Sequence, residues 1–323
     1  MTGQEKPPGT FGTAAYGGDN WSPRTTKHRE EIGRIWQGGI DSEWRPLKSV
    51  LLHRPGPELL AAQDDPDSAL MLAPVDLGRA QAEHDAMTQA FRAQNVDVYF
   101  VGPDADCPPN LMFCADLFVM TPEGAILARP ASTVRAGEER WLARRLAALG
   151  VPILKTLTGN ATFEGADLMW LDSKTAMIGR GLRTNQAAIT QIEALLSELG
   201  IDTIAVDMPF GIMHFMSLLR IVDERLALCW PRRTPHQTVT ALRERGFDVL
   251  FPEPFEHDPQ GYRGINFVTL GPRRVLMVAD LPLIQACFED LGIECITTPT
   301  AELAKAAGNV GCLTGVVSRA LGT

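Results

Sequence analysis

The feature that most constrains the fold of this 323-residue chain is a unit that recurs along nearly all of it. Five stretches, 77–94, 138–149, 185–199, 234–246 and 281–292, carry apolar residues at helical spacing, and most of them end at glycine. Each runs into a short β-rich segment: Val96-Asp97-Val98-Tyr99-Phe100, Val151-Pro152-Ile153-Leu154, Ile201-Asp202-Thr203-Ile204-Ala205, Phe247-Asp248-Val249-Leu250 and Ile293-Glu294-Cys295-Ile296. These read as buried strands. Hairpins follow over 117–127, 168–178, 217–228 and 264–278. An early strand, Ser49-Val50-Leu51-Leu52-His53, and a last one near 313–317 are placed to pair across the termini. The repeat predicts an α/β propeller of five ββαβ modules around a pseudo-fivefold axis, one domain over 1–323. An open doubly wound sheet also alternates helices and strands, but the hairpins between helices count against it. Residues 1–45, rich in Gly, Pro and Thr and without periodicity, are expected to pack over the ring as an extended arm.

A propeller brings residues distant in sequence to one end of its axis, so the chemistry is sought at the same joint of successive modules. Four segments fall there: Asn110-Leu111-Met112-Phe113-Cys114-Ala115-Asp116, Phe163-Glu164-Gly165-Ala166-Asp167, Gly211-Ile212-Met213-His214-Phe215-Met216 and Gly308-Asn309-Val310-Gly311-Cys312-Leu313-Thr314. Asp116, Glu164 and Asp167 each stand at the mouth of an apolar strand, where a carboxylate is costly unless a cation or hydrogen bonds meet it. Singly, they read equally well as caps or partners of structural arginines. His214 alone reads as a satisfied buried histidine, and Cys312 alone as a core cysteine. Together they supply a thiol, a group that titrates near neutrality and a cation clamp. The glycines around Cys312 are expected to let the backbone turn sharply and a substrate approach the sulfur.

The net charge of -9 and the scatter of Lys and Arg among acids exclude a nucleic-acid footprint, which points to a small-molecule partner. Six cysteines without a CxxC pair or Cys/His cluster indicate neither metal nor disulfide framework, and no cofactor is expected. Met1-Thr2-Gly3-Gln4-Glu5-Lys6-Pro7-Pro8 lacks an apolar signal core and no later run is apolar long enough to cross a bilayer. A soluble, cytoplasmic protein is expected, without a membrane partner; charge and periodicity leave a homo-oligomer open.

On these residues the chain resembles the guanidine-modifying enzymes of the pentein fold, which include arginine deiminase, dimethylargininase and arginine:glycine amidinotransferase. The resemblance covers nearly the whole chain. The segment from Asn110 to Asp116 is similar to the family's Asn-x-x-Phe-x-x-Asp, Glu164 to Asp167 to its Glu-Gly-Gly-Asp, and Leu182-Arg183-Thr184-Asn185 to its Arg-Thr turn. The resemblance implies that Asp116 and Glu164 clamp a guanidinium and that Asp167 orients the histidine or the clamp. His214 is then the general acid and base, and Cys312 the nucleophile that forms a covalent thiouronium. It further implies that Asn110, Arg135 and Arg183 hold the carboxylate of an amino-acid substrate, with Phe113 in the same binding segment. Arg135 also reads as one half of a surface salt bridge.

Two departures from the family pattern bear on substrate. Members acting on free arginine carry an aspartate two residues after the histidine, where this chain has Met216; dimethylargininases also lack that aspartate. A thioether there removes an acceptor and offers an apolar surface, which suits an N-substituted guanidine such as a methylated arginine. Gly311 stands where deiminases and amidinotransferases often place histidine. The expectation is a hydrolase of arginine-like guanidines. The alternatives are an amidinotransferase, favoured by the arm and by Ala166, and a non-catalytic binding member of the fold.

Overall fold

In a computed structural model, which describes residues 9, 11–103, 107–257 and 261–322, the described residues form five three-stranded sheets. Residues 1–8 and 10, which include the expected signal-free N-terminus and part of the arm, lie outside the described residues. The first sheet joins β1 (Leu47–Leu52) to β2 (Asp97–Phe100) in parallel and to β15 (Gly315–Arg319) antiparallel. The others run in chain order: β3 (Phe118–Thr121), β4 (Gly124–Leu127) and β5 (Ile153–Thr156); β6 (Leu168–Asp172), β7 (Thr175–Arg180) and β8 (Asp202–Asp207); β9 (Leu219–Asp223), β10 (Leu226–Cys229) and β11 (Asp248–Leu250); β12 (Val268–Gly271), β13 (Arg274–Val278) and β14 (Glu294–Thr298). In each of these four a tight antiparallel hairpin is followed by a helix and a strand parallel to the middle one. This is the ββαβ module read from sequence. The first module is completed by the C-terminal strand, so the ring closes across the chain ends.

The five long helices, Leu77–Ala93, Glu139–Ala148, Gln186–Glu198, His236–Glu244 and Pro282–Asp290, stop for one local reason. The second residue past each takes a left-handed conformation: Asn95 at φ 58°, Gly150 at 78°, Gly200 at 74°, Gly246 at 77° and Gly292 at 74°. Glycine carries no Cβ penalty there, so the chain reverses into the next strand at little cost. No helix among the described residues is long and apolar enough to cross a membrane.

One sequence expectation is corrected. The strands after the helices are not fully buried: β2, β5 and β8 contain exposed or half-buried residues, and Ile153 is 37% exposed. Each is the outer edge of its sheet and is covered mainly by its own helix, whereas β3, β4, β6, β7 and β10 are buried almost throughout. Trp170 on β6, fully buried, ties neighbouring modules together by donating Nε1 to the Met120 carbonyl of β3 at 3.1 Å. Part of the N-terminal segment pairs with the closing strand, Gly39 N donating to Val317 O at 3.0 Å and Arg319 N to Gly39 O at 3.2 Å. Near the axis a cavity of about 80 Å³ is lined by Glu43, Met216, Arg220 and Arg319, among others.

Candidate active site

Four one-turn helices occupy equivalent joints: Cys114–Asp116 before β3, Gly165–Asp167 before β6, Phe215–Ser217 before β9 and Val310–Leu313 before β15. Each turns the chain inward just before a strand, and this brings residues of three of the four sequence motifs to the wall of one small cavity, while Glu164 and Asp167 of the fourth do not line it and stand behind His214. Asn110, Phe113, Asp116, Arg135, Arg183, His214 and Cys312 all line that space of about 30 Å³.

Glu164 is fully buried and its Oε2 lies 2.6 Å from His214 Nε2. Burial would raise the Glu164 carboxyl, but the histidine bond and the charges of His214, Arg135 and Arg183 hold it well below the usual carboxylate range. Burial would likewise depress His214; Asp116, the Glu164 bond, Asp167 and the Glu164 charge outweigh it and lift the imidazole to about 9. The pair is therefore an ion pair near neutrality, with His214 protonated. Asp167 lies behind it, accepting the Phe215 amide at 2.8 Å and the Thr184 hydroxyl at 2.6 Å. It holds the backbone immediately after His214 and so sets the ring's position.

Asp116 divides its two oxygens. Oδ2 accepts Arg135 Nη1 at 2.6 Å, while Oδ1 is buried without a hydrogen-bond partner and lies 3.8 Å from His214 Nε2. A buried acceptor without a donor is costly, and a cationic N–H entering this cavity would supply one. Arg135 is 4% exposed and not a surface residue: its Nε donates to Glu138 Oε2 at 2.9 Å, its Nη1 lies 3.6 Å from Glu164, and its guanidinium carbon sits 5.9 Å from the Phe113 ring centroid. Arg183 Nη1 donates to Glu164 Oε1 at 3.1 Å. Both arginines thus lean on the carboxylates. Asn110 Nδ2 donates to Ala69 O at 2.7 Å, leaving Oδ1 buried and unpartnered.

Cys312 is half-buried, in the turn Val310–Leu313. Asn266 grips it twice, donating Nδ2 to the sulfur at 2.9 Å and accepting the Cys312 amide on Oδ1 at 3.1 Å. Burial and the Asp116 charge raise the thiol above its ordinary value, opposed by the Asn266 bond, the Asn309 backbone and the Arg220 charge. The nearby glycines act differently from the sequence expectation. Neither Gly308 nor Gly311 has a positive φ; a Cβ on Gly308 would meet Phe113 Cε1 at 2.1 Å, and one on Gly311 would meet Arg220 Nη2 at 2.3 Å and Asn266 Oδ1 at 2.7 Å. They are small because protein neighbours press on them.

Sequence reasoning did not find Glu138 or Asn266. Glu138 is fully buried, and burial, against the pull of Arg135, lifts its carboxyl to about 7. Met216, 5% exposed, lines not the acidic cavity but a wider cleft on the other side of Cys312. Asp116, Glu164 and His214 bring ligand atoms within 4.8 Å of one another, a set a metal could use, but Arg135 already engages Asp116 and His214 already engages Glu164.

The family model described as "N,N dimethylarginine dimethylhydrolase, eukaryotic" matches residues 74–246, more than half of the chain. An N(G),N(G)-dimethylarginine dimethylaminohydrolase of Streptomyces coelicolor is 28% identical over 268 residues, which take in 83% of this chain and 96% of that protein. Among solved structures, a mutant dimethylarginine dimethylaminohydrolase of Pseudomonas aeruginosa complexed with citrulline superposes with a TM-score of 0.69 at 21% identity, over 85% of this chain and 100% of that one. An amidinotransferase of Microseira wollei superposes with a TM-score of 0.71 at 17% identity, over 88% and 98% of the two chains. At such identities the likeness of structure shows the pentein fold, five modules about an axis.

Proposed function

The chain belongs to the N,N dimethylarginine dimethylhydrolase family, and on that premise we propose that it is a cysteine hydrolase that releases an amine from an N-substituted, arginine-like guanidine. The observation that carries the reading is the convergence of Cys312, His214 and the half-satisfied Asp116 on one cavity, with Glu164 bonded to the histidine.

In this mechanism the guanidinium donates to Asp116 Oδ1 and Glu164, which hold its plane against the sulfur. The Cys312 thiolate bonds to the central carbon. His214, already protonated, gives its proton to the substituted nitrogen as the carbon–nitrogen bond breaks, so that neutral amine leaves and a thiouronium remains on Cys312. Neutral His214 then takes a proton from water as the hydroxyl adds to the same carbon. The carbon–sulfur bond breaks and the proton of the added hydroxyl passes to solvent, releasing a neutral ureido product and the thiolate. Asn266 holds the sulfur throughout and Asp167 holds the histidine. The positive ends of Arg135 and Arg183 keep the carboxylates ionised, with the amino-acid carboxylate of the substrate drawn to the same side with Asn110. All six cysteines are free, which suits the reducing cytoplasm proposed here, with small guanidino compounds rather than nucleic acid or membrane as partners.

Incubation with asymmetric dimethylarginine, monomethylarginine and arginine, with product analysis, tests the reading. Citrulline and the alkylamine are expected from wild type and not from Cys312→Ser, with plain arginine the poorest of the three. A guanidinylated acceptor formed only when glycine is added replaces hydrolysis by amidino transfer. Equal release from Cys312→Ser removes the nucleophile assignment.

A further inference from the structure

The acidic cavity is the smaller of two spaces that open on the sulfur. On the other side of His214 and Cys312 lies a cleft of about 330 Å³, against about 30 Å³ beside Asp116. Met213, His214, Ala307 and Cys312 line both. Among the described residues no carboxylate lines the larger cleft; its walls include Ile212, Met213, Met216, Trp230 and Tyr262. Arg233 also lines it and stacks on the Trp230 ring at 4.9 Å.

The reaction geometry assigns this cleft a role. With the central carbon at Cys312 and two guanidinium nitrogens turned to the carboxylates, the third nitrogen and its substituent face the opposite side. That nitrogen is the one that departs, and His214, which borders both spaces, is placed to protonate it. Two methyl groups, each about the size of a water molecule at roughly 30 Å³, would leave most of a 330 Å³ cleft unfilled. Binding sites for small molecules are filled by their ligands, and an apolar and aromatic wall rewards an apolar occupant.

We propose that this cleft receives the nitrogen substituent of the substrate, and that the preferred substrates are guanidines bearing an apolar or aromatic group much larger than methyl, of benzyl size. The inference rests on the hydrolase reading above: the substituent leaves as the primary amine with the proton from His214, and the ureido product is the same for every substituent.

The test compares N-benzylarginine, monomethylarginine and asymmetric dimethylarginine as substrates, reading kcat/KM from citrulline and identifying the released amine. The benzyl compound is expected to exceed both methylated ones at least tenfold. Ile212→Trp and Ala304→Phe, at two residues that line the cleft, are each expected to lower the benzyl-to-methyl ratio at least tenfold, and either variant suffices if the other does not fold. Methylated arginines turned over as fast as, or faster than, the benzyl compound overturn this inference and leave the hydrolase reading standing. A ratio unmoved by both fillings overturns it too. No citrulline from any of the three overturns both.

Discussion

At the scale of single residues, the free site holds its protons in the wrong place for nucleophilic attack. His214 is lifted to about 9 and Cys312 is raised above an ordinary thiol, so the sulfur is a thiol beside an imidazolium at neutral pH. The largest charge acting against the thiolate is Asp116, and a guanidinium on Asp116 cancels it. Guanidinium binding therefore lowers the Cys312 pKa, and the proton leaves to solvent because His214 is already charged. The rate of iodoacetamide alkylation against pH should move to lower pH by about one unit or more when saturating methylguanidine is present, at whatever reduced absolute rate the ligand imposes. A profile that stays put, or moves to higher pH, contradicts this. The residues in this account were legible unequally. Asp116, Glu164, His214 and Cys312 could be read because they recur at the joint before an apolar strand. Glu138 could not, since Glu138-Glu139-Arg140 looks like any solvated helix start and only the fold buries it against Arg135. Asn266 was hidden for the same reason: it lies 46 positions from Cys312, and nothing local marks its double bond to that residue.

At the scale of elements, the one-turn helices are the parts that convert a repeated fold into a site, and two of them, at Gly165 and Gly311, are held by contacts too close for a larger side chain. A Cβ on Gly165 would lie 2.3 Å from Phe118 O and 2.6 Å from Ala115 O, both backbone atoms that cannot swing aside. Gly165→Ala must push the Glu164–Asp167 turn away from the Asp116 turn. We expect about 2–4 kcal/mol of lost stability in urea unfolding, of the size seen for overpacking. We also expect kcat to fall at least tenfold, because Glu164 and Asp116 then no longer share His214. Wild-type stability with wild-type kcat would show that the two turns can separate freely. Element boundaries were largely legible: the hairpins turn through two residues between strands, at Pro122-Glu123, Ser173-Lys174 and Glu224-Arg225, and each long helix ends two positions before a left-handed residue. The edge character of β2, β5 and β8 was not legible, since an apolar run of four or five residues looks the same in the middle of a sheet and at its rim.

At the scale of the whole molecule, closure of the ring and placement of Cys312 are one event. Cys312 stands three residues before β15, and β15 is held by β1 from the other end of the chain through pairs such as Val50 with Val316 and Leu51 with Gly315. Ser49 and Ser318 hydroxyls meet across the same pair, and Val317 is buried at 2% exposure. The sulfur is therefore positioned by contacts whose sequence separation is nearly the full chain, and no partial ring can assemble the site. This leads us to expect residues 1–323 to behave as one cooperative unit: the fluorescence of Trp44, near the first module, and of Trp230, after β10, should report one urea midpoint. Removing residues 315–323 deletes the closing strand together with the buried Val317 and should cost more than about 4 kcal/mol, beyond a single large-to-small core substitution. Citrulline formation should vanish with it. Two separated midpoints in the full chain, or a truncated chain that keeps both its midpoint and its turnover, would mean that the modules stand independently and that Cys312 is held by its local turn alone.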